Sequence, residues 1–361
     1  MDSSYRKKLE RQGYRFVGEH TGVKVCEWTK KSLRGEGTCY KEKFYGIAAH
    51  RCVQMSPAVN FCDHDCIFCW RERNNSGFGA VDDPLLMADR SIDAQRSLLT
   101  GFGGNEKTTK DTKSKAKLLE AQEPQHFAIS LNGEVTYYPR LSEFITDLKK
   151  KGLSSFVVSN GQLPDVLARM EPPTQLYLSL DAPNKKMYAE IDRPMRKDGW
   201  ERVLASLDVL RDLRAREKTR TVIRVTLIKG LNDSHTKEWA ELLERANPHF
   251  VEIKSYMFIG ASRQRLTLDH MPFHEEVKSF ADKISRHCGY VTVDESRPSR
   301  VVLLMRHGEE NAPWRYLTFP KKYARGKSAP LPKLSSAKLK KETPCEPELT
   351  VEQAERLVKI R

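Results

Sequence analysis

FAISLNGEVTYYPRLSEFITDLKKKGLSSFVVSN, Phe127–Asn160, decides the fold class. It opens on FAISL (127–131), an apolar run of strand length. A glycine-bearing turn follows. LSEFITDLKKKG (141–152) then places apolar residues at 141, 144, 145 and 148, the spacing of one helix face, before a glycine stop. FVVS (156–159) restores a β-favouring run. Strand, helix and strand in succession make a βα unit, and such units build parallel sheets.

The alternation continues on both sides. Further β-favouring runs are FYGIAAHRCVQM (44–55), LYLSL (176–180), VIRVTL (222–227) and VEIK (251–254), with VTVDE (291–295) and VVLLM (301–305) after them. Helical spacing recurs in GWERVLASLDVLRDLRA (199–215), HTKEWAELLERAN (235–247) and PFHEEVKSFADKISRHCG (272–289). The class is therefore α/β, with six βα units that can curve into a complete or partial barrel. Ligands of such sheets gather at the C-terminal ends of the strands. We expect an N-terminal extension over 1–43, a barrel over 44–320 and a Lys/Pro-rich, largely disordered tail over 321–361. NEKTTKDTKSKAKLLEAQ (105–122) is polar and interrupts the alternation, so it reads as a surface insert.

The bulk numbers narrow the function. Apolar residues make up 39% of 361, enough for a sizeable core. A net charge of +14 favours a polyanionic partner, nucleic acid above all, although the basic tail supplies part of the excess. No apolar run reaches the ~18 residues of a membrane span. MDSSYRKKLERQGYRF at the start is charged and lacks an apolar targeting core, so a cytoplasmic protein is expected. Of eight cysteines, six fall between Cys26 and Cys69, which speaks for metal or redox sites rather than disulfides. Cys288 reads as an ordinary buried thiol, and Cys345 as a tail residue without a clear role.

NFCDHDCIFCW (60–70) carries Cys62, Cys66 and Cys69. Three thiols are one short of a closed zinc site. His64 is the available fourth ligand, but it sits two residues from both Cys62 and Cys66, which is cramped. An iron–sulfur cube can be held by three soft, anionic thiolates with one iron left open. Polar residues follow at successive strand ends: Glu134 after Gly133, then Asn160, then Ser179 and Asp181, with Arg224 within the next strand. Singly each is a turn or cap residue. In series they suit a nucleoside-like ligand across a barrel mouth. Glu134 can accept from an ammonium, and Gly133 permits close backbone approach. Cys26, Cys39 and Cys52 are thirteen residues apart, which is no zinc-finger spacing. They are three unrelated buried thiols or the ligands of a second cluster. Lys41 and Lys43 flank Cys39, and a lysine of lowered pKa can form a Schiff base with a ketone. Lys254 is a further candidate.

Cys-x3-Cys-x2-Cys with Phe68 before the third cysteine resembles the radical S-adenosylmethionine enzymes. That resemblance implies a partial (β/α)6 TIM-like barrel. It also implies a 4Fe-4S cluster on Cys62, Cys66 and Cys69, whose open iron is chelated by S-adenosyl-L-methionine and which generates a 5′-deoxyadenosyl radical. The upstream cysteines, with SLNGEVTYYP, VVSNGQLPDVL, LYLSLDAPNKKMYAEIDRPM, RVTLIKGLND and VEIKSYMFIGASRQRLTLDHMP, look like the tRNA 4-demethylwyosine synthases of the wyosine pathway. Asn132 departs from the small residue more usual before the glycine. The resemblance implies a lyase that condenses N1-methylguanosine beside the anticodon of tRNA-Phe with two carbons of pyruvate. It implies a second, auxiliary 4Fe-4S cluster on Cys26, Cys39 and Cys52. Glu134, Asn160, Ser179, Asp181 and Arg224 become S-adenosylmethionine contacts. Lys41 is favoured as the Schiff-base lysine, with chelation of pyruvate by the second cluster as the alternative. An external ferredoxin- or flavodoxin-like donor and a monomer are expected. Trp70, Arg71, Arg73, Arg193, Arg196, Arg263 and Arg265 are candidate RNA contacts. Two other readings compete: a radical enzyme acting on a peptide, and a non-catalytic zinc-stabilised RNA-binding protein.

Overall fold

The computed structural model describes residues 1–72 and 79–317. Arg73, Cys345 and the tail expected from residue 321 lie outside the described residues. Among those described, ten strands form one sheet. They are β1 (Arg15–Phe16), β2 (Gly22–Val23), β3 (Cys52–Ser56), β4 (His126–Ile129), β5 (Ser154–Ser159), β6 (Gln175–Ser179), β7 (Arg220–Leu227), β8 (Phe250–Ser255), β9 (Tyr290–Ser296) and β10 (Val301–Arg306). Their order is β1-β2-β3-β4-β5-β6-β7-β8-β10-β9. Strands β3 to β8 pair in parallel with their neighbours, while β2 and β10 join the two edges antiparallel. The sheet is not closed, so six parallel βα units make the expected partial barrel.

The local reasons match the sequence. In Leu141–Lys150 the buried residues include Leu141, Phe144, Ile145 and Leu148, the stripe read from spacing. Gly152 follows at φ 71°, a conformation that glycine adopts without a Cβ penalty, and the chain turns into β5. Asp83 caps the helix Pro84–Leu99 by accepting from the Leu85 amide at 3.1 Å. Period-two alternation sorts each strand. Ile223, Val225, Val251 and Ile253 face the outer helices with Phe144, Leu207 and Trp239. Val222 and Phe250 belong to a separate inner cluster with Phe156 and Tyr177. Arg224, Glu252 and Lys254 share the inner face of β7 and β8 by the same alternation.

FYGIAAHRCVQM needs a correction. Its strand begins only at Cys52, and its first residues end a helix, Tyr40–Tyr45, closed by Gly46 at φ 74°. The run is apolar because Phe44, Tyr45 and Ile47, with Tyr40 before them, join the inner cluster of the barrel. The N-terminal segment thus fills the bore with side chains. Residues 105–122 form two short helices, Glu106–Lys110 and Thr112–Glu120. Leu118 of the second packs with Val25, Leu33 and Leu99, while its lysine-rich face is solvated. No helix among the described residues is long and apolar enough to cross a membrane.

Candidate active site

The inner face of the sheet opens into a chamber of about 510 Å³. Its walls include Cys26, Cys39, Cys52, Cys62, Cys66 and Cys69, together with Lys41, Lys254, Glu134, Asn160, Ser179, Asp181 and Arg224. The residues proposed from sequence for the clusters and for S-adenosylmethionine therefore meet in one space with two of the three candidate imine lysines, Lys41 and Lys254. Lys43 does not. It is exposed and pairs with Asp294 Oδ1 at 2.6 Å. Successive residues of a helix turn by about 100°, so Lys41 and Lys43 of Tyr40–Tyr45 point to different sides. Cys288 also stands apart, its Sγ on the Ile284 carbonyl at 3.5 Å.

The loop after β3 is held on all sides. The amide of Asp65 donates to the carbonyls of Asp192 and Arg193 at 3.1 Å each, and that of Ile67 to Ile191 at 2.9 Å. Arg265 closes it from the other side, with Nε on the Ile67 carbonyl at 3.0 Å and Nη2 on that of Cys69 at 2.6 Å. Asp63 accepts from Tyr137 Oη at 2.7 Å and from Asn160 Nδ2 at 2.8 Å. Gly133 sits against the loop at φ 69°, where a Cβ would lie 1.8 Å from the Ala58 carbonyl oxygen and 2.5 Å from that of Phe61. Only glycine fits there.

Glu134 is buried and accepts from Thr136 Oγ1 at 2.6 Å, the Thr136 amide at 3.0 Å and the Asn160 amide at 2.7 Å. Burial pushes its carboxyl up to about 7, against those three hydrogen bonds. Asp181 accepts from the Thr226 amide at 2.6 Å, and burial raises it too. Asp192 is raised well above the carboxylate range by burial and by the charge of Asp181. Burial pulls the Lys41 amine down, with Glu252 opposing. Its Nζ lies 4.2 Å from the Tyr177 ring centre. Lys254 is brought down to about 7 by burial and then by Arg224, and its Nζ donates to the Ser299 carbonyl at 2.6 Å.

The thiols suit a metal. Burial pushes Cys39 and Cys52 up to about 12, and the charge of Cys26 is the next cause for both, so these three converge. Burial also raises Cys62 and Cys66, with Cys69 among the causes. Such thiols release their protons when a metal binds. Zinc, with Zn–S near 2.3 Å, would draw its sulfurs to about 3.8 Å of one another. Among the described residues the group of three potential ligands within 4.8 Å is instead His64, Cys66 and Asp192. His64 there is bound through Nε2 to Tyr188 Oη at 2.8 Å. Among the described residues neither cysteine triplet brings its three sulfurs within 4.8 Å of one another, so neither is drawn together as one zinc ion would draw it.

Of the candidate RNA contacts, Arg71 is buried and lies 3.4 Å from the Trp70 ring centre, with Nε on the Leu131 carbonyl at 3.0 Å. Arg196 binds Tyr137 Oη at 3.0 Å through Nη2, and Arg265 clamps the loop. Arg193 and Arg263 are exposed. Sequence reading missed Asp192, His64 as a partner of Tyr188, and Glu252. A signal for Glu252 was present: an acid at an inward position of VEIK must be buried with partners.

Comparison with known proteins then decides the family. The model of the radical SAM superfamily matches residues 56–243, and that of wyosine base formation matches 245–306. The S-adenosyl-L-methionine-dependent tRNA 4-demethylwyosine synthase of Pyrococcus horikoshii is 45% identical over 315 residues, 85% of this chain and 90% of that one. This chain is a tRNA 4-demethylwyosine synthase family member. Among the synthases, the human protein is 38% identical over 284 residues, 77% of this chain but 37% of its own length. A solved structure of TYW1 with a lysine–pyruvate adduct bound superposes with a TM-score of 0.74 at 40% identity, covering 85% of this chain and 96% of that one. Archaeal TYW1 gives a TM-score of 0.71 at 36% identity, covering 88% of this chain and all of that one. The partial barrel and the radical S-adenosylmethionine chemistry expected from the cysteine loop are those of this synthase family, which implies a 4Fe-4S cluster and S-adenosylmethionine.

Proposed function

We propose that the chamber forms a wyosine base in tRNA, joining N1-methylguanosine beside the anticodon of tRNA-Phe to two carbons of pyruvate and releasing the third. One observation carries this reading: two cysteine triplets and a half-buried lysine, Lys41, line the same 510 Å³ space. A chamber that small and that deep receives a base only if the nucleotide leaves its stack, as it can in an anticodon loop.

Cys62, Cys66 and Cys69 would hold the 4Fe-4S cluster, whose chemistry would be one-electron reduction of bound S-adenosylmethionine. Glu134 accepts from the methionyl ammonium, because its carboxylate is fixed by Thr136 and the Asn160 amide. Ser179 and Asp181 hold ribose hydroxyls at the end of β6, and Arg224 neutralises the carboxylate. Asn160, whose Nδ2 donates to Asp63 and whose Oδ1 accepts from the Gln162 amide, takes part through its second N–H and the remaining lone pair. Cys26, Cys39 and Cys52 would hold an auxiliary cluster in the same chamber. Lys41 forms a Schiff base with the ketone of pyruvate. Burial lowers its pKa, so a neutral amine is available, and the rings of Tyr177 and Phe156 hold its Nζ in place. The lysine–pyruvate adduct seen in a TYW1 structure supports this role. Electrons come from an external low-potential protein of the ferredoxin or flavodoxin type, and the chain acts as a monomer in the cytoplasm.

The test is direct. After anaerobic reconstitution, the reduced protein is incubated with S-adenosylmethionine, pyruvate and tRNA bearing N1-methylguanosine. Nucleoside mass spectrometry is expected to show the tricyclic base. Deoxyadenosine release with no tricyclic base would remove the tRNA reading and leave a radical enzyme of other substrate.

A further inference from the structure

Glu252 lies beneath the chamber and has no part in the reactions above. It is fully buried. On the inner face it stands in register with Arg224 of β7 and Leu303 of β10. Both its oxygens are held: Tyr40 Oη donates to Oε2 at 2.7 Å and Tyr45 Oη to Oε1 at 2.7 Å. Tyr40 and Tyr45 are the first and last residues of the short helix that presents Lys41. One carboxylate therefore staples both ends of that helix.

A latch alone would not need a charge. Its cross-strand neighbours are Leu303 and Arg224, and Leu303 belongs to the apolar inner cluster with Phe44, Tyr177 and Phe250. Burying an ion there is costly unless a cation repays it. Three cations share the inner face: Lys41, Arg224 and Lys254. The charge of Glu252 acts on both lysines.

We propose that Glu252 is a positioning residue for Lys41 and the fixed counter-ion of the iminium formed there. The inference rests on Lys41 being the imine lysine. In that step the Lys41 nitrogen bonds to C2 of pyruvate and the C2–O bond breaks. The oxygen leaves as water with two of the three ammonium protons. One N–H and the positive charge remain on the iminium, and no electron is gained or lost. The cation thus persists with two fewer donors to satisfy it, which is the situation a preorganised carboxylate relieves.

Borohydride reduction of the intact, cluster-loaded protein with pyruvate, followed by peptide mass spectrometry, reads the iminium. The parent protein is expected to trap pyruvate on Lys41. Glu252→Gln, which keeps the shape and removes the charge, is expected to trap on the order of 100-fold less. Tyr45→Phe, which keeps the charge and removes one hydroxyl, is expected to stay within about tenfold of the parent. Cluster absorbance and uncoupled deoxyadenosine release serve as the folding control. Parent-level trapping by Glu252→Gln overturns the inference, and so does an equal loss in both variants, which would mean a scaffold and no counter-ion. If Glu252→Gln does not fold, Glu252→Asp decides: it keeps the charge and must trap where Lys41→Ala does not. Absence of trapping in the parent, or trapping on Lys254, strikes the Lys41 reading instead and is told apart by the mapped peptide.

Discussion

The two cysteine triplets reach the same chamber by opposite routes. Cys62, Cys66 and Cys69 belong to one loop after β3, so their spacing is local and the loop is pinned by Arg265, Asp192 and Gly133. Cys26, Cys39 and Cys52 start a helix, start another helix and start β3, so only the tertiary fold gathers them. A local triplet can be read from sequence as a ligand set. A dispersed one can be read only as a possibility, because nothing in a spacing of thirteen residues fixes distance in space. The two also differ in company: the local loop sits by Glu134 and Asn160 at the strand ends, and the dispersed set comes with Lys41 attached.

The largest effects should separate the two walls. Cys62→Ala is expected to lose about half the iron and to abolish deoxyadenosine release altogether. Cys39→Ala is expected to lose the other half, to keep deoxyadenosine release and to lose the tricyclic base. If both variants lose both activities, the two sites are not independent and the comparison breaks.

Lys41→Ala comes next. Product formation should fall by on the order of 1,000-fold, the scale lost with a covalent nucleophile, while both clusters and deoxyadenosine release remain. Lys43→Ala, at the exposed pair with Asp294, should cost no more than about 1 kcal/mol of stability and leave the product yield unchanged.

Gly133→Ala tests how tightly the local loop is built. A methyl group at 1.8 Å from a carbonyl oxygen must push the loop or the strand end away. Chemical denaturation should show a loss of about 3 kcal/mol, and iron should leave the Cys62–Cys69 site before the other.

The smallest effect concerns pH. Burial places the Glu134 carboxyl at about 7, so it is ionised above that pH and neutral below. In the proposed contact it is the carboxylate form that accepts from the ammonium. Affinity for S-adenosylmethionine should therefore fall as pH drops from about 8 to about 6, approaching tenfold per unit below 7. Glu134→Gln should bind more weakly with a flat profile; a parallel slope in that variant would assign the titration elsewhere.

Most of the fold was legible because it rests on periodicity. The stripe Leu141, Phe144, Ile145 and Leu148 is buried as spaced, and β5 to β8 fall within a residue or two of their apolar runs. FYGIAAH misled because its apolar residues face the barrel bore from a helix, and composition does not distinguish that from a strand. Lys41 and Lys43 looked alike in YKEK until the helix turned one inward and the other to Asp294. Glu252 stayed hidden because its partners, Tyr40 and Tyr45, are more than two hundred residues away in sequence. Arg265 and Arg71 were read as RNA contacts, yet their guanidinium groups bind the carbonyls of Cys69 and Leu131.

The central claim is that both triplets are cluster sites facing one chamber. Iron and acid-labile sulfide counted after anaerobic reconstitution, with Mössbauer spectra of the parent and of the two triple-alanine variants, test it most directly. The parent is expected to hold about eight irons per chain and each triple variant about four, with S-adenosylmethionine perturbing only the site on Cys62, Cys66 and Cys69. Four irons in the parent, unchanged when Cys26, Cys39 and Cys52 are replaced, or zinc in either site, would contradict it.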